Sequence, residues 1–512
     1  MNRRIAFSLA AVLALSACTD EQTPSPTEAP QTPSLASAKK SSRSYVVRLS
    51  ETAPADLQAQ IERAGGRLKN ISREAGVASF ESDAADFATR VRALPGVEGA
   101  GLDRTIQWLD PNQRFIVAED HKGGPAVGAT ERWFPIQWNM QAISAPKAWK
   151  KGELGKGARV AILDGGIWSE HVDIKPNLDV ARSRSFACLP NPAPAPCTPT
   201  AFNSDVGTFW HGTHVAGIVA AADNADNLGT IGVAPEATLI GVKVLHNGSG
   251  DFGWLIDGIV YASTPTRKGG AGADIINMSL GATFVPEPGD EELIAALDKA
   301  TKYAHKQGTL LVASAGNGDD EGIGINHDEH RELVTIPAQS KHVIGVSSLA
   351  PLGYALGATN FDRLSSFSNI GKSIVDLSGP GGDFMLPDQV PPNCTLAINP
   401  GPAPTTTTVT QPCWVFDMVV SSCRGSGVAN VCWAAGTSMS SPAVAGVAAL
   451  IVGKKGRMSP DRLFEELARS SDDLGRRGFD AVYGKGRVNA ARAVGAGGRD
   501  NDDDDRRGVA SR

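Results

Sequence analysis

Gly436-Thr437-Ser438-Met439-Ser440-Ser441-Pro442 runs straight into Ala443-Val444-Ala445-Gly446-Val447-Ala448-Ala449-Leu450-Ile451-Val452. An apolar run this continuous, with no polar stripe at helical spacing, predicts a buried helix. Pro442 is read as lying near its first turn, where a missing N–H costs least. Ser438 then sits at the helix N-terminus, where free amides and the positive end of the helix dipole gather. A serine so placed can attack a carbonyl while its own N–H stabilises the resulting oxyanion. An isolated Gly-Thr-Ser more often marks an ordinary N-cap, so the partners that would make it chemical have to be sought upstream.

Upstream, from residue 137, buried apolar runs alternate with helical patterns. Residues 159–163, 238–244, 273–278, 309–313 and 343–347 read as strands, and 213–222, 253–263 and 290–307 as helices. This alternation predicts an α/β fold with a largely parallel sheet and helices on both faces. In such sheets chemistry gathers beyond the carboxyl ends of the strands. Asp164 ends Val160-Ala161-Ile162-Leu163-Asp164 and is followed by Gly165-Gly166. A carboxylate there can orient an imidazole, although alone it reads as a strand-end cap. His211 opens His211-Gly212-Thr213-His214-Val215-Ala216-Gly217, whose small residues let a helix pack closely. Two histidines at i and i+3 also suit a metal site, but no His-Glu-x-x-His pattern accompanies them. Asn317 follows Val312-Ala313-Ser314-Ala315-Gly316, where its amide can serve an oxyanion or simply close a turn.

The flanks speak of export. Met1-Asn2-Arg3-Arg4 and the apolar residues 5–15 form a secretory signal too short to span a membrane. It ends in Leu15-Ser16-Ala17-Cys18, which resembles the bacterial lipobox and makes Cys18 a lipidation site; an ordinary signal peptide with an incidental cysteine is the alternative. Of 7 cysteines, Cys18 set aside leaves an even number, as expected of disulfides in an exported chain. Short loops favour pairing Cys188 with Cys197, Cys394 with Cys413 and Cys423 with Cys432. The Pro-, Ser- and Thr-rich residues 19–43 read as a tether. Residues 44–108 follow a β-α-β-β-α-β order suited to a small ferredoxin-like α+β unit. Residues 109–136 read as an exposed connector, 137–497 as the main domain, 384–432 as a cysteine-bearing surface insertion, and the acidic 498–512 as a tail without structure. The net charge of −6 on 512 residues is mild and gives no basic footprint for nucleic acid.

Asp164, His211, Asn317 and Ser438, in that order and each within its own motif, are where the chain resembles the subtilisin-like serine peptidases. The resemblance continues through Ser279-Leu280-Gly281, Phe367-Ser368-Asn369-Ile370-Gly371 and Tyr483-Gly484-Lys485-Gly486-Arg487-Val488-Asn489. It implies Ser438 as nucleophile, His211 as general base and then acid, and Asp164 as the group that holds the imidazole. Asn317 and the Ser438 N–H would bind the oxyanion. It further implies that Ser279-Leu280-Gly281 pairs with an extended peptide substrate, that Gly316 is among the substrate-binding residues, and that Thr335 lines the first specificity pocket. The N-terminal unit looks like an inhibitory propeptide of the I9 type, released by self-cleavage between residues 106 and 137. Cys18 lies on its side of that cut, so the precursor would be held at the cell envelope and a monomeric mature enzyme freed. No cofactor is required for this chemistry. Asp173 matches a family calcium ligand, and the loop with Asp223 and Asp226 offers oxygen donors for a structural Ca2+, or is a polar turn. Gly165 stands where the family commonly has Ser or Thr. A catalytically silent binding protein on the same fold is the alternative; the Ser-Glu-Asp peptidases of a related fold do not match the His211 motif.

Overall fold

Eight strands form the central sheet, and its inner strands, such as Arg159–Asp164, Ile275–Met278 and Leu310–Ser314, are buried along most of their length and must be covered on both faces. A computed structural model describes residues 42–109, 115–117, 131–187, 202–203, 210–224, 228–385, 391–399, 407–425 and 427–496. Cys18, Cys188, Cys197, Asp226 and the acidic tail lie outside the described residues. Seven strands run in the order Arg363–Leu364, Val343–Ala350, Leu310–Ser314, Ile275–Met278, Arg159–Asp164, Thr238–Lys243 and Arg184–Ser185, and Leu377–Pro380 also pairs with Val343–Ala350. All neighbours are parallel except Arg363–Leu364.

Alternate side chains leave the sheet on opposite faces, and two cores result. Val160, Ile162, Leu239, Ile275 and Val312 join the core of the helices His211–Ala220 and Thr437–Lys455. Ala161, Leu163, Ile240, Ile276 and Leu311 join that of the helices Phe252–Ser263 and Asp290–Lys306. Thr437 through Val452 are all buried, as the apolar run predicts. Pro442 is placed differently: the helix begins at Thr437, so the proline stands in its second turn and not its first. The acceptor that its missing N–H would have served is the Ser438 carbonyl, four residues back.

The insertion also departs from its expected place on the surface. Val415, Phe416, Met418, Val420 and Val431 form a third core with Trp433, Trp133 and Ile136. The Trp138 indole N–H donates to the Met418 carbonyl at 2.9 Å. Its polar, Pro- and Thr-rich first half hid this apolar second half. Cys394–Cys413 and Cys423–Cys432 are disulfide-bonded, with Cα atoms 4.8 and 5.7 Å apart.

Residues Arg43–Leu49, Leu57–Arg63, Arg67–Ser72, Val77–Ser82, Phe87–Arg92 and Val97–Leu102 alternate strand, helix, strand, strand, helix, strand. Their four strands form one antiparallel sheet. One face carries a private core of Tyr45, Val47, Leu57, Ile61, Phe80 and Phe87. From the other, Val46 and Val77 enter the core around Phe252–Ser263. Arg48 pairs with Glu292 at 2.7 Å, Lys299 with Glu98 at 2.9 Å, and Arg104 with Asp290.

Carboxylates meet at this contact. Asp103 takes the Gly253 N–H on Oδ1 at 3.2 Å, while its Oδ2 is buried without a hydrogen-bond partner among the described residues. Burial, then the nearby Asp251 charge, push the Asp103 carboxyl up to about 7; Lys69 and the Gly253 N–H pull it down, and Asp257 adds to the rise. Asp257 is pushed up to about 6 by burial, against Asn70, Ser79, Lys69 and Arg184. An acid whose value is raised in the docked state favours docking most at low pH and loses that advantage as pH rises from its ordinary value toward the raised one. Docking of the N-terminal unit should therefore weaken between about pH 4 and pH 7. Asp103→Asn keeps an acceptor for the Gly253 N–H, so it should raise the thermal midpoint at pH 8 and change it little at pH 4. An equal shift at both pH values would contradict this.

Candidate active site

The strand Arg159–Asp164 ends with a fully buried carboxylate. Asp164 Oδ1 accepts the Gly165 N–H at 2.6 Å, and Oδ2 lies 2.8 Å from His211 Nδ1. A carboxylate at Nδ1 holds the proton there and leaves Nε2 as the accepting nitrogen of the neutral ring. His211 Nε2 is buried and has no hydrogen-bond partner among the described residues. The imidazole reaches Asp164 because Gly212 lets the helix start against the strand end. A Cβ at Gly212 would come 2.3 Å from the Gly166 carbonyl and 3.0 Å from Asp164 Cβ.

Ser438 is the second residue of its helix and 5% exposed. Its hydroxyl donates to the Ser279 carbonyl at 3.2 Å, not to His211. Hydrogen bonds of this kind are often unformed until a substrate is bound. Asn317 Oδ1 accepts the Thr437 N–H at 2.9 Å and the Thr437 hydroxyl at 2.7 Å. Because Oδ1 is bound to these donors, the amide rotamer is fixed and Nδ2 is turned away as a donor. Thr437 Oγ1 also accepts the Gly316 N–H at 3.1 Å. The sequence reading passed over Thr437; its signal was a hydroxyl on the residue beside the nucleophile candidate. Gly316 itself has φ +100°, and a Cβ would meet Asn369 Nδ2 at 2.4 Å, which only glycine allows.

Ser279 faces inward. Its hydroxyl donates to the Ser438 carbonyl at 2.7 Å, meets Ser441 Oγ at 2.9 Å and accepts from Asn277 Nδ2 at 2.9 Å. It thus serves the carbonyl that Pro442 leaves without its helical partner. Leu280 is buried, and Gly281 is half-buried with an N–H that finds a partner across the chain. That N–H donates to the Trp108 carbonyl at 2.9 Å. Trp108 N–H in turn donates to Gly248 at 2.9 Å, and Thr105–Gln107 runs antiparallel to Ser249–Asp251. Beyond residues 110–114, which are not described, Phe115–Val117 pairs antiparallel with Val431–Ala434, the strand leading to Ser438. Of the connector read as exposed and irregular, Phe115–Val117 is thus bound as added strand, and Thr105–Gln107, within the unit read as 44–108, is another. Three-residue strands are too short to show a period.

Thr335 is buried, 2.7 Å from Thr283 Oγ1 and 3.1 Å from His327 Nε2, on the strand Val334–Ile336 that pairs with Ala282–Phe284. His214 lies 3.2 Å from the Val419 carbonyl and 3.1 Å from that of Cys432 through Nε2, and burial lowers it to about 3. It holds the strand pair before Ser438 and does not join His211 as a metal ligand. Of the residues named for calcium, Asp173 and Asp223 are described and Asp226 is not. Asp173 is buried and takes the Thr230 N–H on Oδ2 at 2.9 Å, while Asp223 is exposed. Among the described residues no three of His, Cys, Asp and Glu converge on a common point.

Around one parallel α/β sheet the chain thus carries an imidazole fixed by a buried carboxylate at a strand end and a serine at a buried helix N-terminus. The subtilase family model matches residues 155–486, and the chain belongs to that family. The major intracellular serine protease of Bacillus subtilis is 38% identical over 263 residues, which are 49% of this chain and 66% of that protein, just under two thirds. Subtilisin E of Bacillus subtilis is 30% identical over 387 residues, 75% of this chain and 76% of that protein. The crystal structure of the epidermin leader peptide processing serine protease of Staphylococcus aureus superposes with a TM-score of 0.63 over 88% of this chain and 98% of that one. At 21% identity it establishes the shared fold.

Ser279→Ala removes one hydroxyl that meets three buried partners. The unfolding free energy should fall by about 1–3 kcal/mol in denaturant titrations. A loss under about 0.5 kcal/mol would show that the hydroxyl does not lock the helix start.

Proposed function

We propose that the protein is a serine endopeptidase made as a self-processing zymogen. Ser438 attacks the carbonyl of the scissile peptide bond, and His211 Nε2 takes its proton as the acyl-enzyme forms. The imidazole then gives that proton to the leaving amine, and water repeats the cycle to release the acid. Asp164 keeps Nδ1 protonated and stabilises the imidazolium. Asn317 Nδ2 and the Ser438 N–H receive the oxyanion. The observation that carries this reading is the 2.8 Å bond from His211 Nδ1 to Asp164, with Nε2 left open. For the reaction, the Ser438 hydroxyl must leave the Ser279 carbonyl for the imidazole.

The N-terminal unit is then the intramolecular inhibitor. What supports this is the pair of added strands at residues 105–107 and 115–117, which bind where an extended substrate would pair. Self-cleavage falls between them, within residues 110–114. Export and lipidation at Cys18 complete the reading: the precursor is held at the cell envelope of a bacterium, and the cut leaves the lipid with the N-terminal unit. The substrates are proteins and peptides bound in extended form.

Intact masses of the full-length protein and of Ser438→Ala test it. The wild type should yield a fragment starting within residues 111–115, and the variant should stay uncut. If both chains remain whole, the catalytically silent alternative gains; if both are trimmed alike, another protease does the cutting.

A further inference from the structure

Lys243 is a lysine at 4% exposure, at the end of the strand Thr238–Lys243. It stands opposite Asp164 in the parallel pairing with Arg159–Asp164 and opposite Ser185 on its other side, so its backbone is fixed from both. Its Nζ donates to the Gly165 carbonyl at 2.6 Å. Gly165 is buried, and its own N–H is the donor to Asp164 Oδ1. Among the described residues, that N–H and His211 Nδ1 are the two groups that hold the Asp164 carboxylate. The residues after Lys243 grip the same turn: the Val244 and Leu245 N–H groups donate to the Asp164 carbonyl at 2.9 and 3.3 Å. Gly165 brings no side chain to the turn, and Gly166 follows it at φ +111°. Between two glycines the peptide plane turns with little steric resistance. A hydrogen bond, and not a side chain, therefore fixes Gly165, and Lys243 is its donor.

We propose that Lys243 is a positioning residue for the reaction. By pinning the Gly165 carbonyl it holds the N–H that aims Asp164, and through Asp164 it sets the orientation of the His211 ring. The inference rests on the peptidase reading above. A charged donor suits the task, because its hydrogen bond is about twice as strong as a neutral one. Without it a buried carbonyl would be left unsatisfied, and the glycine pair would be free to turn toward another donor. Supporting hydrogen bonds of this kind matter because a reacting group tolerates little displacement.

The test takes two readings from Lys243→Met, which keeps an unbranched chain and removes the ammonium. The first uses protein expressed as the full chain, an internally quenched peptide of the sequence 105–118, and active sites counted by fluorophosphonate titration. There kcat should fall about 10- to 100-fold, as for a misplacement of about 1 Å, with KM changed by less than about threefold. The second needs no turnover. In full-length Ser438→Ala, the low-field proton resonance of His211 Nδ1–H should move upfield or broaden away when Lys243→Met is added, while the circular dichroism spectrum stays the same. A lysine that only stabilises the fold would lower the thermal midpoint and leave kcat per site and the resonance in place. An unchanged kcat or an unmoved resonance therefore overturns the proposal and leaves the peptidase reading standing. A wild type that cleaves no peptide removes the peptidase reading and this proposal with it. Should Lys243→Met not fold, Lys243→Gln, with a neutral donor in the same seat, takes its place with the same signs and the same overturning results.

Discussion

Pro442 takes an N–H out of the helix that carries Ser438, and the Ser438 carbonyl would lose its partner there. The Ser279 hydroxyl supplies the missing donor at 2.7 Å. Much of the site depends on this substitution. It ties the helix start to the strand end at Ile275–Met278 through Asn277 and Ser279, and so to the middle of the sheet. On the other side, Thr437 offers its N–H and hydroxyl to Asn317 and accepts from Gly316, which ties the same turn to the end of Leu310–Ser314. Three strand ends, counting that of Asp164, thereby hold one serine, one histidine and one amide without any of them standing on a long loop. Rigid elements of this kind preorganise polar groups, which is where an electrostatic site gains most.

The N-terminal unit is joined to the rest through both apolar and charged contact. Val46 and Val77 share a core with Phe252 and Leu293, and Arg48 and Lys299 reach across to carboxylates. Its C-terminal continuation leaves this surface as strand and meets Gly281 at Trp108. Exposed strand edges attract further strand, and the chain covers two of its own with residues 105–107 and 115–117. The same main-chain hydrogen bonds that would recognise any extended peptide are here filled from within. Asp103, by contrast, is a buried acid at this contact whose ionisation works against it.

The parallel sheet was legible because its strands are apolar at successive positions, and the helices because theirs are long; observed ends fall within two or three residues of those expected. His211 begins its helix two residues before the predicted start, since Gly212 allows a contact that propensity counts against. The polar site was legible as motifs, each polar residue standing next to a glycine or small residue at a strand or helix end. Less of the connector and the insertion could be read. Strands of three residues carry no period, and Val415, Phe416 and Trp433 lie among cysteines, prolines and threonines that signal surface. The partner of the Ser438 carbonyl was out of reach altogether, because Pro442 and Ser279 are far apart in sequence.

The central claim is that Asp164 and His211 act on one nucleophile, Ser438. Labelling with a fluorophosphonate, followed by peptide mapping, tests it most directly. The account predicts one label per chain, located on Ser438, with the rate falling by at least about 1,000-fold in His211→Ala. A label on another serine, or an undiminished rate without the imidazole, would contradict it.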